Sequence, residues 1–305
     1  MNNLISVLIP SHNREDTILK AVSSVIEQTY IGDIECIIVD STKNDSVQNI
    51  IENYKKTIKK SNRRILFYKN QLNEFPYSNW VKLSTIFKGD YVKFLCNDDW
   101  LEVNALETMV SVLKKNNLSC VVSNINLFKQ NETSFQHYDL NRNINKNKII
   151  DSVLELDKTI PITQSAVLMT AEGFSEAFEF SLKNFQCSKN LLGEDLLFTY
   201  YYFFKDRKAT FINLALCNSK AVNDSLTRIT PRLSIDFCNI NSIEVLLQNF
   251  KFKLTRNQKK RIRHLIFMYY LIKFYTRNSN YKYSKNTRFI PFPEFKEFIR
   301  YLLEK

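Results

Sequence analysis

The chain has 305 residues and a mass of 36.1 kDa, and its 44% hydrophobic and 24% charged content marks a globular protein and excludes a disordered one. It has only four glycines (Gly32, Gly89, Gly173 and Gly193), too scattered for the clustered-glycine dinucleotide fingerprint or a phosphate loop ending in Gly-Lys-Ser/Thr. The net charge of +12 is concentrated at one end: residues 251–305 carry fifteen bases against three acids, and the rest of the chain is balanced.

Leu4 to Ile9 is an apolar run suited to a buried strand, halted by Pro10. Ile18, Leu19, Val22, Val25 and Ile26 then fall on one face of a helix over Glu15 to Gln28. A second buried strand runs from Ile34 to Val39 and ends at Asp40. Val47, Ile50, Ile51, Tyr54 and Ile58 mark a second helix, and Ile65 to Tyr68 a third strand. A weaker helix follows over Ser78 to Phe87. A fourth strand, Tyr91 to Leu95, runs into Asn97-Asp98-Asp99, and after it come a helix through Leu106, Met109, Val110 and Leu113 and a strand at Cys120 to Leu127. Residues 128–150 are polar and aperiodic and read as a long loop. Beyond them, strands are expected at Thr163 to Met169 and Thr210 to Leu216. Helices are expected at Glu194 to Phe204, Ile235 to Phe250, Thr255 to Tyr275 and Pro293 to Leu303.

Repeated strand–helix units predict an α/β fold with a mainly parallel sheet covered on both faces, followed by a C-terminal helical extension. Ligands of such sheets bind beyond the carboxyl ends of the strands, and Asp40 and the Asp98-Asp99 pair stand at two of those ends. Two adjacent carboxylates aimed by a rigid strand can hold a hard divalent cation against the phosphates of a nucleotide. The same residues also suit a turn that caps the helix after them.

The six cysteines lie far apart, with no Cys-x-x-Cys, and only three histidines occur, so reduced thiols are expected rather than a disulfide framework or a zinc site. With no basic flank before Leu4 to Ile9, and with Leu265 to Ile272 well short of the roughly 20 residues of a membrane span, the expected compartment is the cytoplasm.

Four segments occur in an order that resembles glycosyltransferase family 2. They are Ile9-Pro10-Ser11-His12-Asn13-Arg14, followed by Ser24 to Tyr30; Ile37-Ile38-Val39-Asp40; Gly89 to Leu95 leading into Asn97-Asp98-Asp99; and Gly193-Glu194-Asp195. Together they cover about residues 4–230. The resemblance implies a GT-A fold, with a nucleotide-sugar-binding half over about 1–127, an acceptor half over about 128–230, and a basic helical region over 231–305 outside the catalytic domain. It implies an inverting transferase that moves a sugar from a nucleoside-diphosphate donor, UDP being the expected one, to a hydroxyl of a glycan or lipid-linked oligosaccharide. Carried over residue by residue, it places Pro10, Ser11, His12 and Arg14 in the nucleoside pocket and Asp40 against the base or ribose. Asp98 serves the nucleotide and the metal, manganese or magnesium, with Asp99 as the direct ligand. Asp195 becomes the general base, with Glu194 beside it in the acceptor pocket.

The chain departs from that pattern in three places. Ser41 follows Asp40 where a second acid is common, and Cys96 takes a position that is often acidic. Asn223-Asp224-Ser225-Leu226-Thr227 resembles a segment that in other members brings a metal-ligating histidine, which is absent here; the expectation is either weaker metal coordination or its completion by Asp224 or water, and Arg228 is a candidate for the diphosphate.

Residues 251–275 mix bases with Leu254, Ile262, Leu265, Ile266 and Leu271. One reading is an interfacial helix that holds the protein to the inner face of the cell membrane; the other is a helix packed on the catalytic domain with solvated lysines. No nucleic-acid partner is expected, because nothing resembles an RNA- or DNA-binding module. A sugar nucleotidyltransferase, or a non-catalytic basic membrane- or nucleic-acid-binding protein, stands as the alternative to the transferase.

Overall fold

The computed structural model describes residues 3–70, 76–128, 135–136, 145–156, 160, 163–184, 194–205, 208–220 and 232–276. Four strands, β1 (Ile5–Ser11), β2 (Ile34–Asp40), β3 (Arg63–Lys69) and β4 (Tyr91–Phe94), form a parallel block in the order β3-β2-β1-β4. All seven residues of β2 and all four of β4 are buried. Their side chains are covered on both faces, which is why these strands read as apolar runs broken only by Glu35 and the terminal Asp40 in β2 and by Lys93 in β4.

The remaining strands extend the sheet with mixed polarity. They are β5 (Asp99–Leu101), β6 (Cys120–Phe128), β7 (Phe135–Gln136), β8 (Val167–Thr170) and β9 (Ala209–Lys220). The path continues from β4 through β8, β6 and β9 to β5, with β7 on β6. β8 runs antiparallel to both neighbours, β6 and β9 are parallel, and β5 is antiparallel to β9.

Helices α1 (Glu15–Ile26), α2 (Ser46–Lys55), α3 (Pro76–Ile86) and α4 (Ala105–Asn116) follow β1, β2, β3 and β5. α1 buries Ile18, Ala21, Val22, Val25 and Ile26, and α4 buries Ala105, Leu106, Met109, Val110 and Leu113, the faces expected from their spacing. Asn117 ends α4 in the left-handed region at φ 49°, with its amide turned back to the carbonyls of Leu113 and Lys114. Gly89 sits where the turn into β4 passes against β1: a Cβ there would lie 2.5 Å from Ser6 N and 2.6 Å from Ser6 Oγ. Its own amide donates to Ser6 Oγ at 2.7 Å, so only glycine admits this approach.

The second half holds helices α5 (Lys146–Val153), α6 (Ala171–Asn184), α7 (Glu194–Lys205), α8 (Arg232–Asn249) and α9 (Arg256–Thr276). α5 corrects the expectation of an aperiodic loop up to residue 150. Asn145 caps it, accepting the Lys148 amide at 3.1 Å, and Ile149, Ile150 and Val153 anchor it. α6 was not anticipated either; its buried face is Phe174, Ala177, Phe178 and Ser181. A second apolar cluster joins α5 and α7 to α8 and α9 through Ile149, Leu196, Tyr200, Ile243 and Leu265, so the C-terminal helices share a core with the second half of the chain. The helix expected over Pro293 to Leu303 lies outside the described residues. Among those residues no helix is long and apolar enough to cross a membrane.

Candidate active site

β1 and β2 end side by side, with Ser11 in register with Asp40, and the loops beyond them are tied by a buried polar network. The Ser11 carbonyl accepts the Ser41 amide at 3.0 Å and Asn79 Nδ2 at 2.9 Å. Asn79, buried on α3, also donates to Ser41 Oγ at 3.0 Å and accepts Asn70 Nδ2 at 2.9 Å. Asp40 is fully buried: Thr42 Oγ1 donates to one carboxylate oxygen at 2.7 Å, and Lys69 Nζ lies 3.3 Å from the other. Thr42 Oγ1 in turn accepts the amide of Asn13, which turns the β1–α1 loop at φ 49°, a conformation asparagine tolerates.

The sequence-predicted nucleoside residues therefore share one strand-end platform. Pro10, His12 and Arg14 are half-buried, with His12 Nδ1 3.2 Å from Ser41 Oγ and the Arg14 carbonyl accepting the Ile18 amide to start α1. Ser11 Oγ is buried with no hydrogen-bond partner among the described residues.

The acidic segment follows β4, the strand beside β1. Asp98 is half-buried and Asp99 is only 4% exposed. Asp99 opens β5 rather than capping the next helix, because α4 begins at Ala105 behind Asn104. One ligand atom each from Cys96, Asp98 and Asp99 lies within 4.8 Å of the others. The 3-10 turn Gln164–Ala166 props this loop from below. Ser165 Oγ accepts the Cys96 amide at 2.9 Å, and Ser165 and Ser219 both hydrogen-bond to Asp99.

Burial, and then the charge of Asp98, push the Asp99 carboxyl up to about 7. Burial followed by Asp99 and Asp98 pushes the Cys96 thiol up. Both effects describe a site where negative charge is unfavourable until a cation arrives. A dication fits this donor set, since its charge offsets the repulsion between two adjacent carboxylates at the spacing found.

Beneath the acids lies Lys93, fully buried within β4 and pushed down to about 8 by that burial. Its ammonium donates to the Ser165 carbonyl and, at 3.1 Å, to the Val167 carbonyl, which fastens the 3-10 turn to β4. Sequence reasoning missed Lys93, Ser165, Ser219 and Asn79. A lysine inside the apolar run Tyr91 to Leu95 was a readable signal, whereas the other three act across long sequence separations.

Asp195 is half-buried in the first turn of α7, where its Oδ1 accepts the Leu196 amide at 3.0 Å. Glu194 starts that helix, and only its backbone is described. α7 packs against the same 3-10 turn that supports Cys96 and Asp99. Asn223 to Thr227, with Asp224, and Arg228 lie outside the described residues.

A parallel nucleotide-type sheet with acids at its carboxyl edge, extended by a mixed second half, is the architecture of a GT-A sugar-nucleotide enzyme. Solved structures agree on the fold. TarS of S. aureus in complex with UDP-GlcNAc superposes with a TM-score of 0.62 at 12% identity, over 86% of this chain and 71% of that one. The model of glycosyl transferase family 2 matches residues 6–176, and the chain belongs to that family. Among curated relatives, glycosyltransferase GlyA of Streptococcus pneumoniae is 25% identical over 75% of this chain and 32% of its own length. The UDP-Glc:alpha-D-GlcNAc-diphosphoundecaprenol beta-1,3-glucosyltransferase WfgD of Escherichia coli is 31% identical over 42% of this chain and 48% of its own. The chain thus spans half or less of the length of these two. The poly(ribitol-phosphate) beta-N-acetylglucosaminyltransferase TarP of Staphylococcus aureus is 26% identical over 84% of this chain and 75% of its own.

Proposed function

We propose that this chain is an inverting glycosyltransferase that moves a sugar from a UDP-activated donor to a hydroxyl of a growing polymer or lipid-linked glycan. The observation that carries the reading is the Asp98-Asp99 pair beyond the carboxyl edge of β4, with Asp99 held by Ser165 and Ser219, in a family 2 chain. The donor base and acceptor class are supported by the UDP-GlcNAc complex of TarS and by the lipid-linked and ribitol-phosphate acceptors in the names of WfgD and TarP.

Pro10, Ser11, His12 and Arg14 line the nucleoside side. Asp40 acts from below, through Thr42 and Lys69. Asp98, the more open of the two acids, and Asp99 would hold manganese or magnesium. The chemistry such an ion supplies there is neutralisation of the charge that grows on the departing diphosphate. On the opposite side, an Asp195 carboxylate oxygen takes the proton from the acceptor hydroxyl as its oxygen bonds to the anomeric carbon and the bond from that carbon to phosphate oxygen breaks.

Thermal unfolding against a panel of nucleoside diphosphates, with and without manganese, tests this reading. UDP at 100 times its dissociation constant stabilises by about 2.7 kcal/mol, a rise of several degrees, and Asp99→Asn abolishes the manganese-dependent part. A flat response to every nucleotide would sink the proposal.

A further inference from the structure

Glutamate and aspartate oxygens suit hard ions, but the group that shares the acidic loop here is a sulfur. Cys96 Sγ lies within 4.8 Å of a carboxylate oxygen of Asp98 and one of Asp99, and those two oxygens lie within 4.8 Å of each other. A small side-chain rotation is enough to bring three donors this near to the roughly 2.0–2.5 Å that one ion requires. The backbone sets the arrangement: the Cys96 amide is fixed on Ser165 Oγ at 2.9 Å, and Lys93 locks the turn that bears Ser165. Cys96 is half-buried, whereas Cys36, Cys120, Cys217 and Cys238 are buried. It is the described cysteine that is both partly exposed as a residue and clustered with the two carboxylates.

We infer that Cys96 is a third protein ligand of the divalent cation, so that the site is a mixed thiolate–carboxylate centre that favours manganese, cobalt, zinc or cadmium over magnesium. The inference rests on the proposed metal site at Asp98 and Asp99 and adds its ion preference. On binding, the Cys96 S–H bond breaks, the sulfur keeps the electron pair and bonds to the ion, and the proton passes to solvent. No redox change is involved. Softer thiolate donors select borderline and soft ions, whereas magnesium prefers oxygen alone. The sequence carries the same message, since Cys96 stands where the family often has an acid.

The test is a titration of the reduced full chain with cobalt(II) chloride without nucleotide, followed in the near ultraviolet, with bound cobalt counted by equilibrium dialysis. The expected result is a sulfur-to-cobalt charge-transfer band that saturates with one ion per chain, disappears in Cys96→Ser and persists in Cys217→Ser. Cys96→Asp is the second variant: it keeps a negative donor, and its preference for cadmium over magnesium falls by about tenfold or more. Cobalt bound without a band, a band that survives Cys96→Ser, or no cobalt bound at all overturns the inference. Its fate separates from that of the transferase reading through the UDP thermal shift. A shift without a band removes Cys96 and leaves the transferase. A Cys96-dependent band without nucleotide binding leaves the metal centre and removes the transferase.

Discussion

Asp195 and Lys93 show how differently two charged side chains contribute at one site. Asp195 sits half-buried at the head of α7, the position proposed here for the base. Asp195→Asn preserves shape and the Leu196 contact but cannot take a proton. Transfer should therefore fall by about 100- to 10,000-fold while the UDP-dependent thermal shift stays, a split read by comparing initial rates with melting curves. Lys93 does not reach the surface, and its effect is on stability. Its folded value of about 8 lies below the ordinary 10.5, so between those pH values the unfolded chain holds a proton that the folded chain has released. Stability from this group therefore rises with pH across that window. The buried thiols Cys36, Cys120 and Cys217, pushed up by burial, act in the opposite sense above pH 9. The difference between urea-unfolding curves of wild type and Lys93→Met reads the lysine together with its charge coupling to Asp99, Cys120 and Cys217: wild type should gain on the variant as pH climbs from 8 to 10.5, and parallel curves would refute the assignment.

Arg63, the first residue of β3, shows how one side chain can set an element. Its guanidinium donates to the carbonyls of Ile26, Gln28, Tyr30, Gly32 and Asn62, which ties the end of α1 and the loop after it to the sheet. Arg63→Ala strands several of these carbonyls at once. A loss of about 2–4 kcal/mol is expected by urea unfolding, with only part of it recovered by Arg63→Lys, which lacks the planar fork. A loss below about 1 kcal/mol would show that water replaces the guanidinium without cost. This element also marks what was legible beforehand. The strands β1, β2 and β4 and the faces of α1 and α4 were readable because apolar residues are doubly covered in the strands and periodic in the helices. The Asp98-Asp99 pair was visible because it interrupts such a run. The Arg63 clasp, the Asn79 network and the Ser165 turn were not, since each joins residues 30 to 70 positions apart and leaves no periodic trace. α5 escaped for another reason: its Asn- and Lys-rich surroundings hide a three-residue apolar anchor, Ile149, Ile150 and Val153, that only the second cluster explains. β5 was invisible because three residues are too few to show alternation.

At the scale of the whole molecule, the open question raised by the charge is what the basic end of the chain does. α9 packs: Gln258 is buried and donates to the Asn147 carbonyl at 3.0 Å and to Asp151 at 2.8 Å, and Leu265 and Ile266 enter the second cluster. That packing leaves Lys253, Arg256, Lys259 and Lys260 exposed, so docking on the body and contact with an anionic surface use different sides of the same segment. A transferase working on a lipid-linked acceptor gains from such a contact, which keeps the enzyme where its acceptor is. Each base near an anionic leaflet adds about 1 kcal/mol, an interaction that salt screens within a Debye length of about 8 Å at physiological ionic strength. Replacing Lys253, Arg256, Lys259 and Lys260 together by glutamine should therefore release the protein from vesicles of anionic lipid in a sedimentation assay. Wild type should bind those vesicles, lose them at high salt and ignore neutral ones. Because the four side chains are exposed, the melting temperature of the quadruple variant should match wild type, whereas Gln258→Ala should lower it without affecting sedimentation. Equal binding of wild type and quadruple variant to anionic vesicles would assign the basic surface to solvent alone and leave the packed face as the whole contribution of the segment.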